Sequence, residues 1–373
     1  MKVPVSKPLL GEIEEQFVAD AMKRKEISGF FGSYIPRFEK EFAAFCGTKD
    51  AVSVSNGTTA LHLALATLKI GPGDEVIAST FTNMATFFAI LYVGATPVPI
   101  DSEPDTLNLD PTLLESKITS RTKAILPVHI YGHPVDMDPV LAIAKKHKLF
   151  VIEDAAEAHG AEYKGRKVGS LGDIGCFSFY ANKIITTGEG GMLTMNDPVL
   201  AARARSLKAL AFGTENKFMH VDIGYNYRLT NLQAAVGSAQ MTRIEDILKR
   251  KRAMAVYYNK ALSEFSEVMQ LPVEKEYAKN VYWMYNVVLK GSLTGKRKEF
   301  MKQLAERGVE TRDDFLPFED QELFKAKGLV KGKAPVASYA GVNGLYIPSG
   351  TDITEEEQLY VVSQIKEVVA SLA

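Results

Sequence analysis

The chain contains few of the residues from which disulfides and metal sites are built. Its 373 residues include 2 cysteines and 6 histidines, and their spacing matches none of the common zinc-binding patterns. Cys46 and Cys176 both lie in apolar segments. We interpret them as small core residues of a protein from a reducing compartment.

The chain also has neither a strong net charge nor a long apolar run. Its formal net charge is -1 at pH 7, which gives no support for a nucleic acid or an anionic membrane as a partner. No apolar run reaches the ~20 residues that a helix needs to span a bilayer. The N-terminal segment from Met1 to Val5 lacks the apolar core of a signal peptide. We therefore expect a cytoplasmic protein.

The rest of the composition is that of a globular protein with two domains. Hydrophobic residues make up 46% and charged residues 24% of the chain, as in ordinary soluble domains. Strand and helix patterns alternate between residues 51 and 154, which predicts an α/β fold with a mainly parallel sheet and ligands at the carboxyl ends of its strands. From about residue 270 the pattern changes to that of a smaller α+β unit, with a strand over Val281–Leu289 and a closing helix over Thr354–Leu372. We predict a large domain over residues 1–245 and a smaller one over residues 246–373.

Lys183 is the first candidate for a chemical role. It follows the apolar run from Cys176 to Tyr180, which predicts a buried strand, and it precedes a cluster of glycines that must turn the chain. A lysine at such a point is partly desolvated, which lowers its pKa and makes the neutral amine available for a Schiff base. The alternative is a strand-end lysine whose ammonium group reaches solvent.

Asp154 is the second candidate. It follows the apolar run from Leu149 to Ile152 and so ends a predicted strand. A poorly solvated carboxylate is costly unless it pairs with a cation, and a protonated pyridine nitrogen is such a cation. The alternative is that Asp154 caps a helix that begins at Ala155.

The segment from Ser55 to Ala60 predicts a helix N-terminus directly after a short strand over Ala51–Val54. The N–H groups of Gly57, Thr58 and Thr59 would have no partner within the helix, and such groups bind phosphate. The alternative is a plain cap made by Ser55 or Asn56.

Several motifs in this order resemble those of one enzyme family. They are Pro8–Gly11, Phe38-Glu39, Asn56–Leu61, Val128–Gly132, Glu153–Gly160, Phe177–Gly191, Gly224–Arg228 and Leu345–Ser349. With these motifs the chain resembles the DegT/DnrJ/EryC1/StrS sugar aminotransferases over nearly its whole length. That resemblance implies pyridoxal 5'-phosphate as cofactor and the aspartate-aminotransferase fold (fold type I), with a mainly parallel sheet of seven strands in the large domain.

The resemblance also implies roles for individual residues at the cofactor's ring. Lys183 would hold the cofactor covalently and carry protons during the reaction. Asp154 would keep the pyridine nitrogen protonated, so that the ring can accept electrons. Phe81 would stack on the ring, and Glu157 would lie near its phenolic oxygen.

The cofactor's phosphate is assigned in the same way. By resemblance, Gly57, Thr58 and Ser178 of one chain bind the phosphate, and Asn226 reaches it from the neighbouring subunit. The resemblance therefore implies a homodimer with shared active sites.

The substrate implied by the resemblance is a nucleotide-linked keto sugar, with L-glutamate as amino donor. The loop Gly224–Arg228 is of the form found in members that act at the sugar's C4, and residues 182–190 with Glu157 look most like perosamine synthases, which aminate GDP-4-keto-6-deoxymannose. Asp313 and Asp314 depart from the usual family pattern, and if they line the sugar pocket we expect a different sugar. The alternatives are a dTDP- or UDP-linked sugar aminated at C4 or C3, and a non-catalytic regulator on the same fold.

Overall fold

The computed structural model describes residues 1–216 and 218–372. In chain order, the strands are β1 (Asp50–Val54), β2 (Glu75–Ser79), β3 (Thr96–Ile100), β4 (Thr122–Leu126), β5 (Phe150–Asp154), β6 (Glu162–Tyr163), β7 (Arg166–Lys167), β8 (Ile174–Ser178), β9 (Gly191–Met195), β10 (Met269–Gln270), β11 (Ala278–Lys279), β12 (Tyr285–Leu289), β13 (Arg312–Asp313) and β14 (Gly344–Ile347). The helices are α1 (Glu12–Lys23), α2 (Tyr34–Cys46), α3 (Gly57–Thr67), α4 (Ala85–Tyr92), α5 (Leu114–Lys117), α6 (Met137–His147), α7 (Pro198–Leu207), α8 (Asn231–Met241), α9 (Ile244–Leu262), α10 (Arg297–Glu306), α11 (Glu322–Ala326), α12 (Pro335–Asn343) and α13 (Glu355–Leu372).

Within the described residues, seven strands form the large sheet in the order β1-β9-β8-β5-β4-β2-β3. Only β9 runs antiparallel to its neighbours in this sheet. Every residue of β2, β8 and β9 is buried, as expected for strands that are covered on both faces. The predicted α/β fold with a mainly parallel sheet is confirmed.

The parallel strands bring the ends of distant segments to one edge of this sheet. Strand β1 ends just before Asn56, β5 ends at Asp154, and β8 ends at Ser178. Their carboxyl ends point the same way, so the polar residues that follow them lie together. This edge carries the site described below.

The second part of the fold is built on a four-stranded antiparallel sheet, β10-β12-β14-β13. Its apolar cluster includes Tyr258, Tyr285 and Phe300. Helix α9 packs Ile247 against the core of the large sheet and Tyr258 against this smaller one. The predicted domain boundary at 245/246 thus falls in the first turn of α9, and the division into two domains stays a prediction.

The strand predicted over Val281–Leu289 is shorter than expected. Strand β12 begins only at Tyr285, because the preceding residues bond to the large part instead. The N–H groups of Val281 and Trp283 donate to the carbonyls of Gly132 and Tyr131, respectively. These two bonds place Trp283 at the edge of the large sheet.

No helix in the described ranges has both the length and the apolar composition for a membrane span. The closing helix predicted over Thr354–Leu372 is present as α13, which begins one residue later.

A buried carboxylate, Glu153, connects β5 to the segments that pack behind the site. Its oxygens accept hydrogen bonds from His129 Nε2 at 3.1 Å and from the N–H groups of Gly169, Leu171 and Gly172 at 2.7 to 2.8 Å. Burial opposes ionisation of Glu153, but these donors outweigh it and the pKa of the carboxyl is lowered. Glu153 therefore anchors the chain between β7 and β8 as a carboxylate.

We expect Glu153→Gln to lower the free energy of unfolding by about 3 kcal/mol, because the new amide would face backbone donors and leave them unpaired. The measurement is a denaturant or thermal unfolding curve at several pH values. A lowered pKa in the folded state contributes stability above the unfolded pKa of about 4.3 and loses it as the pH falls through the folded value. The difference from wild type should therefore be constant at neutral pH and shrink in acid.

The matched control is Glu162→Gln, the same chemical change in β6. Glu162 pairs with Lys167 and Lys279, and its side chain is 22% exposed. We expect less than about 1 kcal/mol there. Equal losses in the two variants would show that Glu153 is not the anchor.

Candidate active site

A cavity of about 430 Å³ opens at the carboxyl edge of the large sheet. Six of the eight predicted site residues line it: Gly57, Thr58, Asp154, Glu157, Ser178 and Lys183. A second cavity, of about 450 Å³, lies where α9 meets the beginning of α13 and is lined by none of the predicted residues. The first cavity is therefore the candidate site.

Lys183 lies in the turn segment that follows β8, and its side chain is 10% exposed. Its backbone N–H donates to the carbonyl of Tyr180 at 2.9 Å. The Nζ atom lies 3.7 Å from the centroid of the Trp283 ring and 3.9 Å from Oε1 of Glu157. Burial lowers the pKa of Lys183, although the nearby carboxylates of Glu157 and Asp154 oppose this effect. The lysine does not extend into solvent, so the strand-end alternative does not describe it.

Asp154 ends β5 and is 4% exposed. One oxygen accepts a hydrogen bond from the Thr86 hydroxyl at 2.8 Å, and the other accepts from the N–H of Ala156 at 3.2 Å. The residues after it form turns, so the alternative of a helix cap does not apply.

Asp154 also has no cationic partner in the described part of the chain, where no basic side chain comes within 4.0 Å of it. Burial raises the pKa of its carboxyl. Such a carboxylate is completed by a cation brought by a ligand. A protonated ring nitrogen fits this requirement.

The N-terminus of α3 forms the opposite end of the site. Asn56 caps the helix, since its Oδ1 accepts the N–H of Thr59 at 2.8 Å. This cap leaves the first amides, those of Gly57 and Thr58, without a partner inside the helix. A Cβ atom at Gly57 would lie 2.8 Å from Cβ of Ser178, so a larger residue would not fit against β8. Amides, hydroxyls and the helix dipole together suit a phosphate group.

Glu157 lies beside Lys183 and is held by the backbone. Its Oε2 accepts the N–H of Tyr131 at 2.8 Å. Burial raises its pKa to about 7, and the charge of Lys183 opposes that rise. Burial thus favours the protonated form of Glu157, and the neighbouring Lys183 favours its carboxylate.

The other two predicted residues do not line the cavity. Phe81 is fully buried and packs its ring against Tyr131 and Phe315, with centroids 6.2 Å apart in both pairs. Asn226 is exposed on a loop that is held by a hydrogen bond from the N–H of Ser55 to the carbonyl of Tyr227. Their assigned roles stay predictions.

Other lining residues were not identified from the sequence. They include Thr86, Asn182, Trp283, Phe315 and Tyr346. Trp283 donates from Nε1 to the carbonyl of Asn182 at 2.8 Å. The only signal for Trp283 was that it is the single tryptophan of the chain. Thr86 lies inside α4, and nothing in the local sequence pattern marked it.

Two buried histidines, His129 and His159, lie behind the site. His129 donates to Glu153, as described above. His159 is fully buried, and burial lowers its pKa to about 3, so its ring is neutral. Its ring packs among Phe42, Phe177 and Phe179.

The residues in the cavity fit pyridoxal 5'-phosphate. Unpaired helix amides and Ser178 match its phosphate, the buried carboxylate of Asp154 matches its ring nitrogen, and the amine of Lys183 matches its aldehyde. The residues of this chain thus supply a suitable chemical group for each polar part of the cofactor.

Comparison with known proteins agrees with this geometry. Residues 8–366 match the model of the DegT/DnrJ/EryC1/StrS aminotransferase family. The chain is 42% identical to a GDP-perosamine synthase of Caulobacter vibrioides over 99% of this chain and 98% of that protein. It is 40% identical to a GDP-perosamine synthase of Escherichia coli O157:H7, with 98% of each chain covered.

The fold is likewise that of a solved relative. An aminotransferase from Psychrobacter cryohalolentis superposes with a TM-score of 0.93 at 32% identity, over 99% of this chain and 100% of that one. The predicted fold type I architecture and the resemblance stated from the motifs are both confirmed. The chain belongs to the DegT/DnrJ/EryC1/StrS aminotransferase family.

Proposed function

We propose that this protein is a pyridoxal-phosphate-dependent aminotransferase that moves the amino group of L-glutamate to the C4 keto group of a nucleotide-linked 4-keto-6-deoxy sugar. Our candidate substrate is GDP-4-keto-6-deoxymannose, which would give GDP-perosamine for a surface polysaccharide such as an O-antigen. The arrangement of Lys183, Asp154 and the α3 amides in one cavity carries the proposal for the reaction. The identity to two GDP-perosamine synthases supports the choice of sugar.

The residues around the cofactor have different roles in the reaction. When bound, pyridoxal phosphate supplies a ring that withdraws electrons from the carbon that loses a proton. Lys183 holds the cofactor and, as a neutral amine, takes and returns that proton at Nζ. Asp154 keeps the ring nitrogen protonated, and Thr86 orients the Asp154 carboxylate.

The remaining groups orient the cofactor and hold protons nearby. The amides of Gly57 and Thr58 and the Ser178 hydroxyl bind the phosphate end. Glu157 holds a proton beside Lys183, at a distance of 3.9 Å between Oε1 and Nζ. The Trp283 ring covers the Lys183 amine at 3.7 Å from Nζ and keeps bulk water from it.

The test of the reaction is a panel of GDP-, dTDP- and UDP-linked 4-keto-6-deoxy sugars with L-glutamate as donor. We expect one 2-oxoglutarate for each amino sugar, the highest kcat/KM with the GDP-linked mannose derivative, and NMR evidence of the amine at C4. Faster turnover of a dTDP- or UDP-linked sugar, or an amine at C3, would contradict the sugar assignment. No 2-oxoglutarate with any member of the panel would contradict the enzyme assignment.

Lys183→Ala should abolish transamination, with a loss of at least the ~10²–10⁴-fold that positioned proton transfer contributes. Borohydride reduction of the wild-type holoenzyme makes the link between protein and cofactor permanent. Peptide mass spectrometry should then place the pyridoxyl group on Lys183. A label on another lysine would show that the covalent site lies elsewhere.

We further propose that the protein works as a homodimer in the cytoplasm, with Asn226 of one subunit serving the phosphate site of the other. The proposal is supported by the exposure of Asn226 on its own chain and by its absence from the residues that line its own cavity. Two neighbouring residues of the same loop, Val221 and Ile223, are apolar, and they are 71% and 82% exposed. Exposed apolar patches of this kind mark protein contacts.

A subunit-exchange experiment tests this arrangement. Lys183→Ala and Asn226→Asp should each be inactive alone, the second because a carboxylate would repel the phosphate. After exchange, each heterodimer should contain one site with both defects and one intact site, so activity should return.

The control mixes Lys183→Ala with Asp154→Asn, whose defects lie in the cavity of one and the same chain. No intact site can form in that mixture, and it should stay inactive. If the Asn226→Asp mixture also stays inactive after exchange has been verified, Asn226 does not serve the other subunit.

A further inference from the structure

Three aromatic rings beside the site form a stacked group, which we call the ring column: Phe315, Tyr131 and Trp283. The Tyr131 ring lies nearly parallel to Phe315, at 5.6 Å and 6°, and to Trp283, at 6.2 Å and 15°. Phe315 and Trp283 line the cavity, and the Trp283 ring is the one that contacts Lys183 Nζ. The position of the column therefore sets the wall against which the lysine lies.

Tyr131 is the member that connects the column to the site. Its φ of 50° lies in the left-handed region, which a residue with a bulky side chain rarely adopts unless its surroundings enforce it. In this conformation its N–H donates to Glu157 and its carbonyl accepts the N–H of Trp283, both at 2.8 Å. A shift of Tyr131 would thus move both Glu157 and Trp283.

The side chain of Tyr131 is held by Asp314. The hydroxyl donates to Oδ1 of Asp314 at 2.8 Å, and Asn286 Nδ2 donates to both carboxylate oxygens at 2.5 to 2.6 Å. Gly344 leaves the space for this carboxylate, since a Cβ atom there would lie 1.9 Å from Oδ2. Asp314 belongs to the smaller part of the fold, so this contact links that part to the large one.

The two consecutive aspartates have opposite environments. Asp314 is 5% exposed, whereas the side chain of Asp313 is 66% exposed and pairs with Arg297 at 3.1 Å. Neither residue lines the candidate cavity. Burial raises the pKa of Asp314 to about 7, and the hydrogen bonds from Tyr131 and Asn286 oppose that rise. Burial of a carboxyl group is unfavourable unless hydrogen bonds compensate for the lost hydration, so Asp314 is held in its buried position by specific contacts.

We propose that Asp314 is a positioning residue for the active site, which it serves by holding the Tyr131 hydroxyl and through it the ring column and Glu157. The inference rests on the proposed function, because positioning matters only if Lys183 and Glu157 handle protons. Asp314, which departs from the usual family pattern, would thus align the reacting groups without contacting the sugar directly.

The first test needs neither cofactor nor turnover. Trp283 is the only tryptophan and is 5% exposed, so its fluorescence reports on the column in the cofactor-free protein. Asp314→Ala and Tyr131→Phe should both shift its emission to longer wavelength and increase quenching by acrylamide. Asp314→Asn keeps an acceptor for the hydroxyl, and its new NH2 group can donate to Oδ1 of Asn286 once the Asn286 amide turns over, so this variant should resemble wild type. Asp313→Ala, which removes the exposed neighbour, should resemble wild type as well.

The second test uses the loaded enzyme. We expect Asp314→Ala and Tyr131→Phe to lower kcat about ten- to hundredfold, as misalignment of reacting groups does, with a smaller change in KM. The double variant should be no worse than either single one, because the two residues act as a unit. Asp314→Asn should restore most of the loss.

The two tests separate the possible failures. Unchanged Trp283 fluorescence in Asp314→Ala and Tyr131→Phe, with both variants folded by circular dichroism, would overturn the positioning role. So would equal kinetic effects of Asp313→Ala and Asp314→Ala. A chain that transfers no amino group to any sugar would overturn the proposed function instead, and the fluorescence experiment would still decide whether Asp314 holds the column.

Discussion

Lys183 and Asp154 are buried at the same edge of a sheet, and in the described chain they are too far apart to form an ion pair. Burial lowers the pKa of the amine and raises that of the carboxyl, so each is driven toward its neutral form. Two such groups are costly to the fold when alone. A ligand that is cationic beside Asp154 and reacts with an amine relieves both costs. Much of the surrounding structure can be understood as the scaffold that keeps these groups in place until such a ligand binds.

The neighbouring carboxylates Glu153 and Asp154 show how a strand separates structural and chemical tasks. Successive side chains of a strand point to opposite faces. Glu153 meets three backbone amides and His129, which lower its pKa and make it a fixed anchor. Among the described residues, the Asp154 carboxylate accepts hydrogen bonds only from Thr86 and one amide, and its pKa is raised. Both carboxyl groups are buried. Glu153 nevertheless stabilises the fold through its own donors, whereas Asp154 needs a cationic ligand as its partner.

The smaller part of the fold contributes to the site through a few long-range contacts. Trp283 is brought to Lys183 because the chain before β12 bonds to Tyr131 and Gly132 and does not continue the strand. Asp314 reaches Tyr131 from β13's end of the smaller sheet. These contacts make the cavity a joint product of both sheets, so a change in their relative position would alter the wall beside the lysine.

The local pattern of the chain was sufficient to predict the large sheet, the strand ends and the polar residues that follow them. Lys183, Asp154 and Gly57 were found in this way because each lies at the end of a strand or within five residues after it, and parallel strands bring such positions to one edge. The motifs added the family and hence the cofactor. The sequence pattern could not predict the contacts of Trp283 and Asp314 or the true start of β12. Each depends on a partner about 100 or more positions away in the chain. That partner is Asn182 for Trp283, and it is Tyr131 both for Asp314 and for the start of β12. Periodicity reports only on which face of its own element a residue lies, whereas the identity of the facing residue is decided by how the two sheets pack.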